Sequence, residues 1–196
     1  MNSLQQVKDR ARGFTVIELI IVVVVIGILA GIALVVYPGY QQRARDNERK
    51  SDVQQIASAL SAYAIKTNSL MSTGSGCGKD SNGNGWIGAK GSPYAAQSIM
   101  DCLQAAGLVD SDGIVDPSDC VKDGGSCGTN RVTAYMKATC TKGSNTVTYI
   151  FAYLESEPQK ATEVDGLCDA GTVAGFSSTD QKWGTKYGMN YYVAVR

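Results

Sequence analysis

The distribution of hydrophobic and polar positions separates one apolar segment from the rest of the chain. Between Phe14 and Tyr37 the only ionisable side chain before the terminal tyrosine is Glu18. An α-helix over residues 14–37 rises about 36 Å at about 1.5 Å per residue, which is enough to span a bilayer with some tilt. The pattern therefore predicts a transmembrane helix with one carboxylate near its start. Such a carboxylate is costly, on the order of 2.5–3.5 kcal/mol near the bilayer centre, so it indicates a function.

At Pro38 the pattern changes, and apolar residues begin to recur at spacings of three and four. This spacing predicts that the helix continues as an amphipathic element over residues 38–66. Its apolar stripe consists of Val53, Ile56, Ala57, Leu60, Tyr63 and Ala64. Its opposite face carries charges of mixed sign, which are typical of a solvated or partner-facing surface: Arg45, Asp46, Glu48, Arg49, Lys50 and Asp52.

Residues 67–196 are predicted to form a globular head domain. Glycine, serine and asparagine dominate its first part and predict loops, after which AAQSIMDCLQAAGL predicts a short helix that ends at Gly107. Apolar or aromatic residues alternate with polar ones in RVTAYMKATC, NTVTYIFAYL and MNYYVAVR, which predicts antiparallel strands. The predicted fold class is α+β, with a long N-terminal α-helix whose amphipathic half packs on a small antiparallel β-sheet with disulfide-bonded loops.

Residues 1–13 form a basic leader before the apolar segment. They carry Lys8, Arg10 and Arg12 against Asp9. By the positive-inside rule, this end stays in the cytoplasm and the head domain lies outside it.

All cysteines follow the apolar segment, which agrees with an oxidising location for the head domain. They are Cys77, Cys102, Cys120, Cys127, Cys140 and Cys168. Six cysteines in an exported domain predict up to three disulfides with fifteen connectivities, and free thiols are the alternative. We propose only that Cys120 pairs with Cys127, because the intervening DGGS supplies a tight loop. Zinc is disfavoured because the chain has no histidine and no CxxC spacing.

The composition argues against catalysis and against nucleic-acid binding. The chain has 18 basic and 18 acidic residues, so it has no overall basic footprint. It lacks histidine, a phosphate loop and HExxH, which removes the usual hydrolase constellations. We therefore expect no enzymatic activity and no required cofactor.

Two stretches of the head domain resemble parts of a calcium loop. The stretch DSNGNGWI places oxygen ligands at alternate positions and then offers a backbone carbonyl. The final position of this loop is Gly91 instead of a bidentate glutamate, so an acid from elsewhere would have to complete the site. The stretch DSDGIVD offers three carboxylates that could complete this site or form a site of their own. Asn, Asp and Gly turns on a polar surface are the alternative. The candidate Ca²⁺ ligands are Asp80, Asn82, Asn84, Trp86, Asp110, Asp112 and Asp116.

A specific motif lies where the leader meets the apolar segment. It reads Gly13-Phe14-Thr15-Val16-Ile17-Glu18 and is followed by an apolar helix with Gly27. This arrangement closely resembles the class III signal of type IV pilins and their pseudopilin relatives. The resemblance implies cleavage between Gly13 and Phe14 by a prepilin peptidase, and methylation of the new amino terminus of Phe14.

The same resemblance suggests a role for Glu18. Cleavage would leave an α-amine among apolar helices, where an uncompensated charge is expensive. In the family this carboxylate is thought to pair with the amino terminus of a neighbouring subunit during assembly. The alternative is that Glu18 snorkels to the interface of an ordinary signal anchor.

The chain departs from the family in the apolar helix. Many pilins have a proline where this chain has Val35, and the nearest proline here is Pro38. We therefore expect any kink or melted segment of the helix to shift toward the glycines and the proline near the end of the apolar run. The candidates are Gly27, Gly31, Pro38 and Gly39.

The resemblance implies a structural subunit of an extracellular type IV pilus, which serves adhesion, twitching motility or DNA uptake. Implied partners are further copies of the chain in a helical filament, minor pilins, the prepilin peptidase, the inner-membrane assembly machinery, membrane lipid before assembly, and a surface or host-cell receptor. The basic cluster of Arg43, Arg45, Arg49 and Lys50 is interleaved with acids, which favours salt bridges between filament subunits over DNA or lipid contacts. The alternatives are a pseudopilin of a type II-like secretion system and a non-polymerising membrane-anchored binding protein.

Overall fold

The structure is a computed structural model of the chain. It describes residues 14–68, 70–71, 85–87, 99–110, 113–117, 135–173, 177–179 and 181–195. The chain divides into two compact units, Met1–Gln41 and Gln42–Arg196.

The first element is the long helix α1, which spans Val16–Thr67. It continues through Pro38 without interruption. The helix is followed by Asn68 with φ of 54°, a left-handed conformation that asparagine adopts readily at a helix end. The predicted long N-terminal helix is confirmed, whereas its opening near Pro38 stays a prediction.

Within the described residues the head contains a four-stranded antiparallel sheet. Its strands are β1 (Gly85–Ile87), β2 (Tyr135–Lys142), β3 (Asn145–Ala152) and β4 (Tyr191–Val195), in the spatial order β1-β2-β3-β4. Strands β2 and β3 form a hairpin in which Lys142 pairs with Asn145. Its turn contains Gly143 with φ of 62°, a conformation that favours glycine. The predicted antiparallel sheet is therefore confirmed.

The two faces of the sheet bury separate cores. On one face Ile150 and Tyr135 belong to a cluster with the apolar stripe of α1, including Val53, Ile56 and Leu60. The stripe therefore packs on the sheet as predicted.

The opposite face packs around Phe151 and Trp183, whose rings stack with centroids 5.6 Å apart. The disulfide between Cys140 and Cys168 belongs to this second core and ties β2 to a more distant part of the chain. Both faces of the sheet are covered, so β2 is largely buried and β3 is buried toward its end.

Two short helices complete the described head. Helix α2 (Ile99–Ala105) ends in the predicted place, because Gly107 has φ of 70° and donates to Gln104 while Leu108 donates to Leu103. These two bonds form a Schellman C-cap. Helix α3 (Ala161–Asp165) was not predicted, since it is only one turn long.

The strand boundaries differ from the sequence prediction at two points. β3 ends at Ala152 and β4 begins at Tyr191, so both are shorter than their alternating patterns. The buried side chain of Asn190 accepts from the Leu154 amide at 2.7 Å and donates to its carbonyl at 2.9 Å. A side chain therefore replaces the backbone ladder there. β1 was not predicted at all, because its three residues lie in a stretch dominated by glycine and asparagine.

Candidate functional site

The N-terminal end of α1 is held by a reciprocal pair of hydrogen bonds between Thr15 and Glu18. The Thr15 amide donates to Oε2 of Glu18 at 2.8 Å, and the Glu18 amide donates to Oγ1 of Thr15 at 3.3 Å. The Thr15 hydroxyl also donates to Oε2 at 2.8 Å. This arrangement is a capping box, with Thr15 at the N-cap and Glu18 at the third helical position. This capping box was not among the predictions, although the sequence carries its signature, Thr-x-x-Glu.

The helix after this cap has an exposed apolar surface. Residues Val16–Leu34 have a mean hydropathy of 3.0, and none of this segment is buried within the chain. Phe14, at the implied new amino terminus, is 88% exposed. A Cβ added at Gly27 or Gly31 would meet no atom within 4 Å, so no packing among the described residues requires these glycines. The segment is long and apolar enough to cross a membrane.

A buried guanidinium holds the second half of α1 on the head. Arg49 is 0% exposed, and its Nε donates to Asp116 at 2.8 Å while its Nη2 donates to the other oxygen of Asp116 at 3.2 Å. Its Nη1 donates to Asp46 at 3.1 Å and to Glu155 at 2.8 Å. One cation therefore joins three carboxylates from three parts of the chain. We call this group the helix clasp, together with Arg45, Lys50, Ser156 and Glu157.

The remaining members of the helix clasp complete a fully bonded network. Arg45 makes a fork to Glu155 at 2.8 and 2.6 Å. Asp46 accepts from the amides of Glu155 and Ser156 at 2.8 and 2.7 Å, and from the Ser156 hydroxyl at 2.6 Å. A more exposed ion pair between Lys50 and Glu157 at 2.9 Å lies beside them. The segment after β3 is thus fixed to α1 through backbone and side-chain bonds.

The pKa values of these groups follow from their contacts. The Arg45 hydrogen bonds, followed by those of Arg49, lower the pKa of Glu155 from 4.5 to about 2. Burial by itself raises the pKa of Asp46, but its bonds from Ser156 and Glu155 outweigh burial and hold the pKa below its ordinary value. Burial also opposes the charge on Arg49, yet its carboxylate partners raise its pKa. All the members whose pKa is shifted are therefore charged at neutral pH.

These contacts correct the predicted role of the charged helix face. Asp46, Arg49 and Asp52 are 2%, 0% and 8% exposed, so these members of the face are buried, whereas Glu48 is exposed. Arg45, Arg49 and Lys50 make their salt bridges within the chain, so the prediction that they bridge filament subunits is wrong. Sequence periodicity could not show this, because the partner carboxylates lie more than sixty residues away along the chain.

Two further buried polar groups lie between α1 and the sheet. The Tyr135 hydroxyl donates to Asp52, whose pKa is raised by burial despite this bond. On the same strand, Lys137 is 0% exposed and donates to the Met71 carbonyl at 3.3 Å and to Thr139 at 3.1 Å. Burial lowers the pKa of Lys137 to about 7. The alternation of β2 could have placed Lys137 on the inner face beside Tyr135.

The predicted cysteine pairs are only partly covered by the described residues. Cys140 and Cys168 form a disulfide with a Cα–Cα distance of 5.6 Å, and Cys102 is also disulfide-bonded. The proposed pair of Cys120 with Cys127 lies outside the described residues. Gly13 and Cys77 lie outside them as well.

The predicted calcium ligands are not brought together within the part of the chain that the structure describes. Trp86 lies in β1, and both oxygens of Asp116 accept from Arg49. Four of the candidates lie outside the described residues: Asp80, Asn82, Asn84 and Asp112. Among the described residues no three metal-ligating side chains form a cluster.

Comparison with known proteins finds a family model in the N-terminal region and several similar proteins. The family model for the prokaryotic N-terminal methylation motif matches residues 8–34. Residues in that range include the capping box and the exposed apolar helix. Over this motif the chain is similar to proteins of the pilin and pseudopilin kind.

The chain is similar to proteins of two kinds, a type II secretion system core protein and type IV pilin or fimbrial proteins. The type II secretion system core protein G of Pectobacterium carotovorum is 35% identical over 38% of this chain and 48% of its own length. The type IV major pilin protein PilA of Myxococcus xanthus is 43% identical over 28% of this chain and 24% of its own length. The type IV major fimbrial protein FimA of Dichelobacter nodosus is 34% identical over 52% of this chain and 62% of its own length.

The chain thus spans about half the length of the first of these relatives, and less of the second. No solved structure matches it. Together, the matches and the structure give a chain with an N-terminal methylation motif and, among the described residues, one helix apolar enough to cross a membrane.

Proposed function

We propose that this chain is a structural subunit of an extracellular type IV pilus. It is stored in the cytoplasmic membrane after removal of residues 1–13 and then polymerised through its apolar helix. The observation that carries the proposal is a methylation motif continuous with an apolar helix that the chain itself leaves unburied. So large an apolar surface needs lipid or other apolar helices around it, and a filament of like subunits provides such helices outside the bilayer. Adhesion, twitching motility or DNA uptake would then be properties of the polymer.

The capping box suggests how Glu18 acts in this assembly. Cleavage after Gly13 gives Phe14 a charged amine, and Glu18 is the only carboxylate between Phe14 and Tyr37. Thr15 holds one carboxylate oxygen, Oε2. Among the described residues Oε1 has no hydrogen-bond donor, so it is available to the Phe14 amine of a neighbouring subunit. An ion pair there compensates two charges that are both costly in an apolar environment.

Two substitutions at Glu18 separate charge compensation from helix capping. Glu18→Gln keeps an oxygen that can complete the capping box but removes the charge, whereas Glu18→Ala removes both. We expect both variants to be cleaved at Gly13 and to form at least about tenfold fewer filaments, since an uncompensated buried charge costs several kcal/mol. Normal filaments from Glu18→Gln with few from Glu18→Ala would reduce the role of Glu18 to capping. Normal filaments from both would contradict any role in assembly.

Processing is tested separately at Gly13. Gly13→Leu should leave residues 1–13 attached, because the resemblance places the peptidase site between Gly13 and Phe14. The measurement is the amino-terminal mass of the chain extracted from membranes. Continued cleavage at the same bond would mean that another protease acts there.

The second candidate function is a pseudopilin of a type II secretion system, and a relative named core protein G supports it. The two functions differ in where the filament is found. Antibodies to the head should label filaments on intact cells if the chain is a pilin, and only after the outer envelope is opened if it forms a periplasmic pseudopilus. A membrane-anchored binding protein that does not polymerise predicts an uncut amino terminus.

The candidate calcium site remains a prediction on which the filament does not depend. Its test is the melting temperature of the full chain with Ca²⁺ and with a chelator. A higher melting temperature in Ca²⁺ supports the site, and identical curves dispose of it.

A further inference from the structure

Two charges on the second half of α1 are left over when the helix clasp is complete. Arg43 and Glu48 are exposed, and neither has a salt bridge or hydrogen bond among the described residues. Their neighbours in sequence, Arg45, Asp46 and Arg49, are all engaged within the chain. The two remaining groups have opposite signs.

Between Lys50 and Lys66 the exposed residues of α1 are uncharged. They include Ser51, Gln54, Gln55 and Ser58, which also line a groove of about 730 Å³ beside Leu108 and Ile114. Lys66, near the end of the helix, donates to the Ala106 carbonyl at 3.1 Å. Arg43 and Glu48 are therefore the complementary charges that this part of the helix offers to a neighbour.

Helix geometry prevents the two residues from pairing well with each other. Five residues correspond to a rise of about 7.5 Å and a rotation of about 140° around the axis, so the side chains point in different directions. Each side chain can therefore reach a different neighbouring molecule. A contact that uses different residues on its two sides is heterologous, and heterologous contacts that do not close produce open helical filaments.

We propose that Arg43 of one copy forms an ion pair with Glu48 of the next copy along the filament. This inference rests on the proposed filament function and identifies a second polar contact in it besides Glu18. Parallel copies would be offset by about 7.5 Å along the helix axis to bring the two residues level. An isolated exposed pair contributes little, but here the contact recurs between every pair of successive subunits.

The test is a charge-reversal cycle in cells that make the full chain, with sheared filaments as the measured quantity. Arg43→Glu and Glu48→Arg should each lower the filament yield by about fivefold or more, because each places like charges at every contact. The double variant, Arg43→Glu with Glu48→Arg, should restore the yield toward wild type. Production of both single variants in the same cell should also restore it, since each then supplies the complementary charge for the other.

Three controls make the outcome decisive. Lys160→Glu reverses an exposed charge elsewhere on the head and should leave the yield unchanged. The melting temperature of each full-length variant in detergent should equal that of wild type, because both side chains are exposed. The amount of each subunit in the membrane should also stay constant.

Unchanged filaments from both single variants would overturn the pairing, and so would two defective single variants that the double variant does not rescue. If the double variant fails to rescue the yield and the membrane level of Arg43→Glu is also reduced, Arg43 binds anionic lipid instead. A wild-type chain that forms no filaments in the same experiment would instead overturn the proposed function, and this pairing with it.

Discussion

The first half of α1 exposes apolar residues and one carboxylate, whereas the second half buries Asp46, Arg49 and Asp52 against the head. Each half is unfavourable by itself, because apolar side chains are exposed in the first half and charged side chains are buried in the second. The charged half has partners within the chain, because the head supplies Glu155 and Asp116 to Arg49. Within the chain the apolar half is 0% buried.

This contrast shows how to interpret an exposed surface in a single chain. The charges of the helix clasp are satisfied within the chain, so they need no neighbour. The exposed apolar helix is not covered by the rest of the described chain. A surface of this kind marks a site of association with lipid or protein. The first, apolar half of α1 is therefore the half that needs other molecules to cover its surface.

The largest effect is expected from Arg49→Met, which tests whether the charged half depends on its partners. The substitution keeps an apolar stem but leaves Asp46 and Asp116 buried without their shared cation. We expect the free energy of unfolding of the full chain in detergent to fall by about 3–5 kcal/mol. Denaturant titration measures it, with Arg43→Met as the exposed control that should change little. A loss near zero for Arg49→Met would mean that the clasp is not a stabilising feature.

A smaller loss is expected from Tyr135→Phe. The hydroxyl of Tyr135 donates to the buried carboxylate of Asp52, and its removal leaves that carboxylate without this donor. We expect the free energy of unfolding to fall by about 1–3 kcal/mol. Tyr192→Phe is a matched control, because its hydroxyl donates to the exposed Glu163 at 3.2 Å. Equal losses in the two variants would contradict a special role for the Asp52 contact.

Acid should weaken the charged half through Glu155. Its pKa is 4.5 ordinarily and about 2 in the folded chain, so its contribution to stability is complete above about 4.5 and disappears as the pH falls through about 2. Glu155→Gln should lack this part of the pH dependence, on the order of 1 kcal/mol because the carboxylate keeps some contact with solvent. The measurement is the unfolding free energy of both proteins between these pH values. Parallel curves would show that Glu155 does not carry the acid sensitivity.

The smallest effect is expected from Thr15→Val, which tests the beginning of the apolar half. Loss of the cap should cost about 1 kcal/mol and should affect only the first turn of α1. Hydrogen exchange at the Glu18 amide should therefore accelerate, while global unfolding stays the same. Ser58→Ala is the control, because its hydroxyl donates to the Gln54 carbonyl at 2.8 Å within the helix and caps nothing. Unaltered exchange at Glu18 would contradict the capping box.

The sequence predicted the parts of this fold that depend on local periodicity. Alternation along Asn145–Ala152 predicted a strand, and Gly107 predicted the end of α2, because neighbouring residues decide both features. The burial of Arg49 could not be predicted in this way, since its partner Glu155 comes from a distant segment. The capping box at Thr15 is different, because both of its residues lie within one helical turn and its signature is present in the sequence.

The most direct test of the account is the mass of the amino-terminal peptide from filaments sheared off intact cells. The account predicts a peptide that begins at Phe14 and carries one added methyl group. That mass would show that the exposed apolar half of α1 enters a surface filament after processing. A chain in the membrane fraction that still begins at Met1, with none in the sheared fraction, would contradict the account and favour a membrane-anchored protein that does not polymerise.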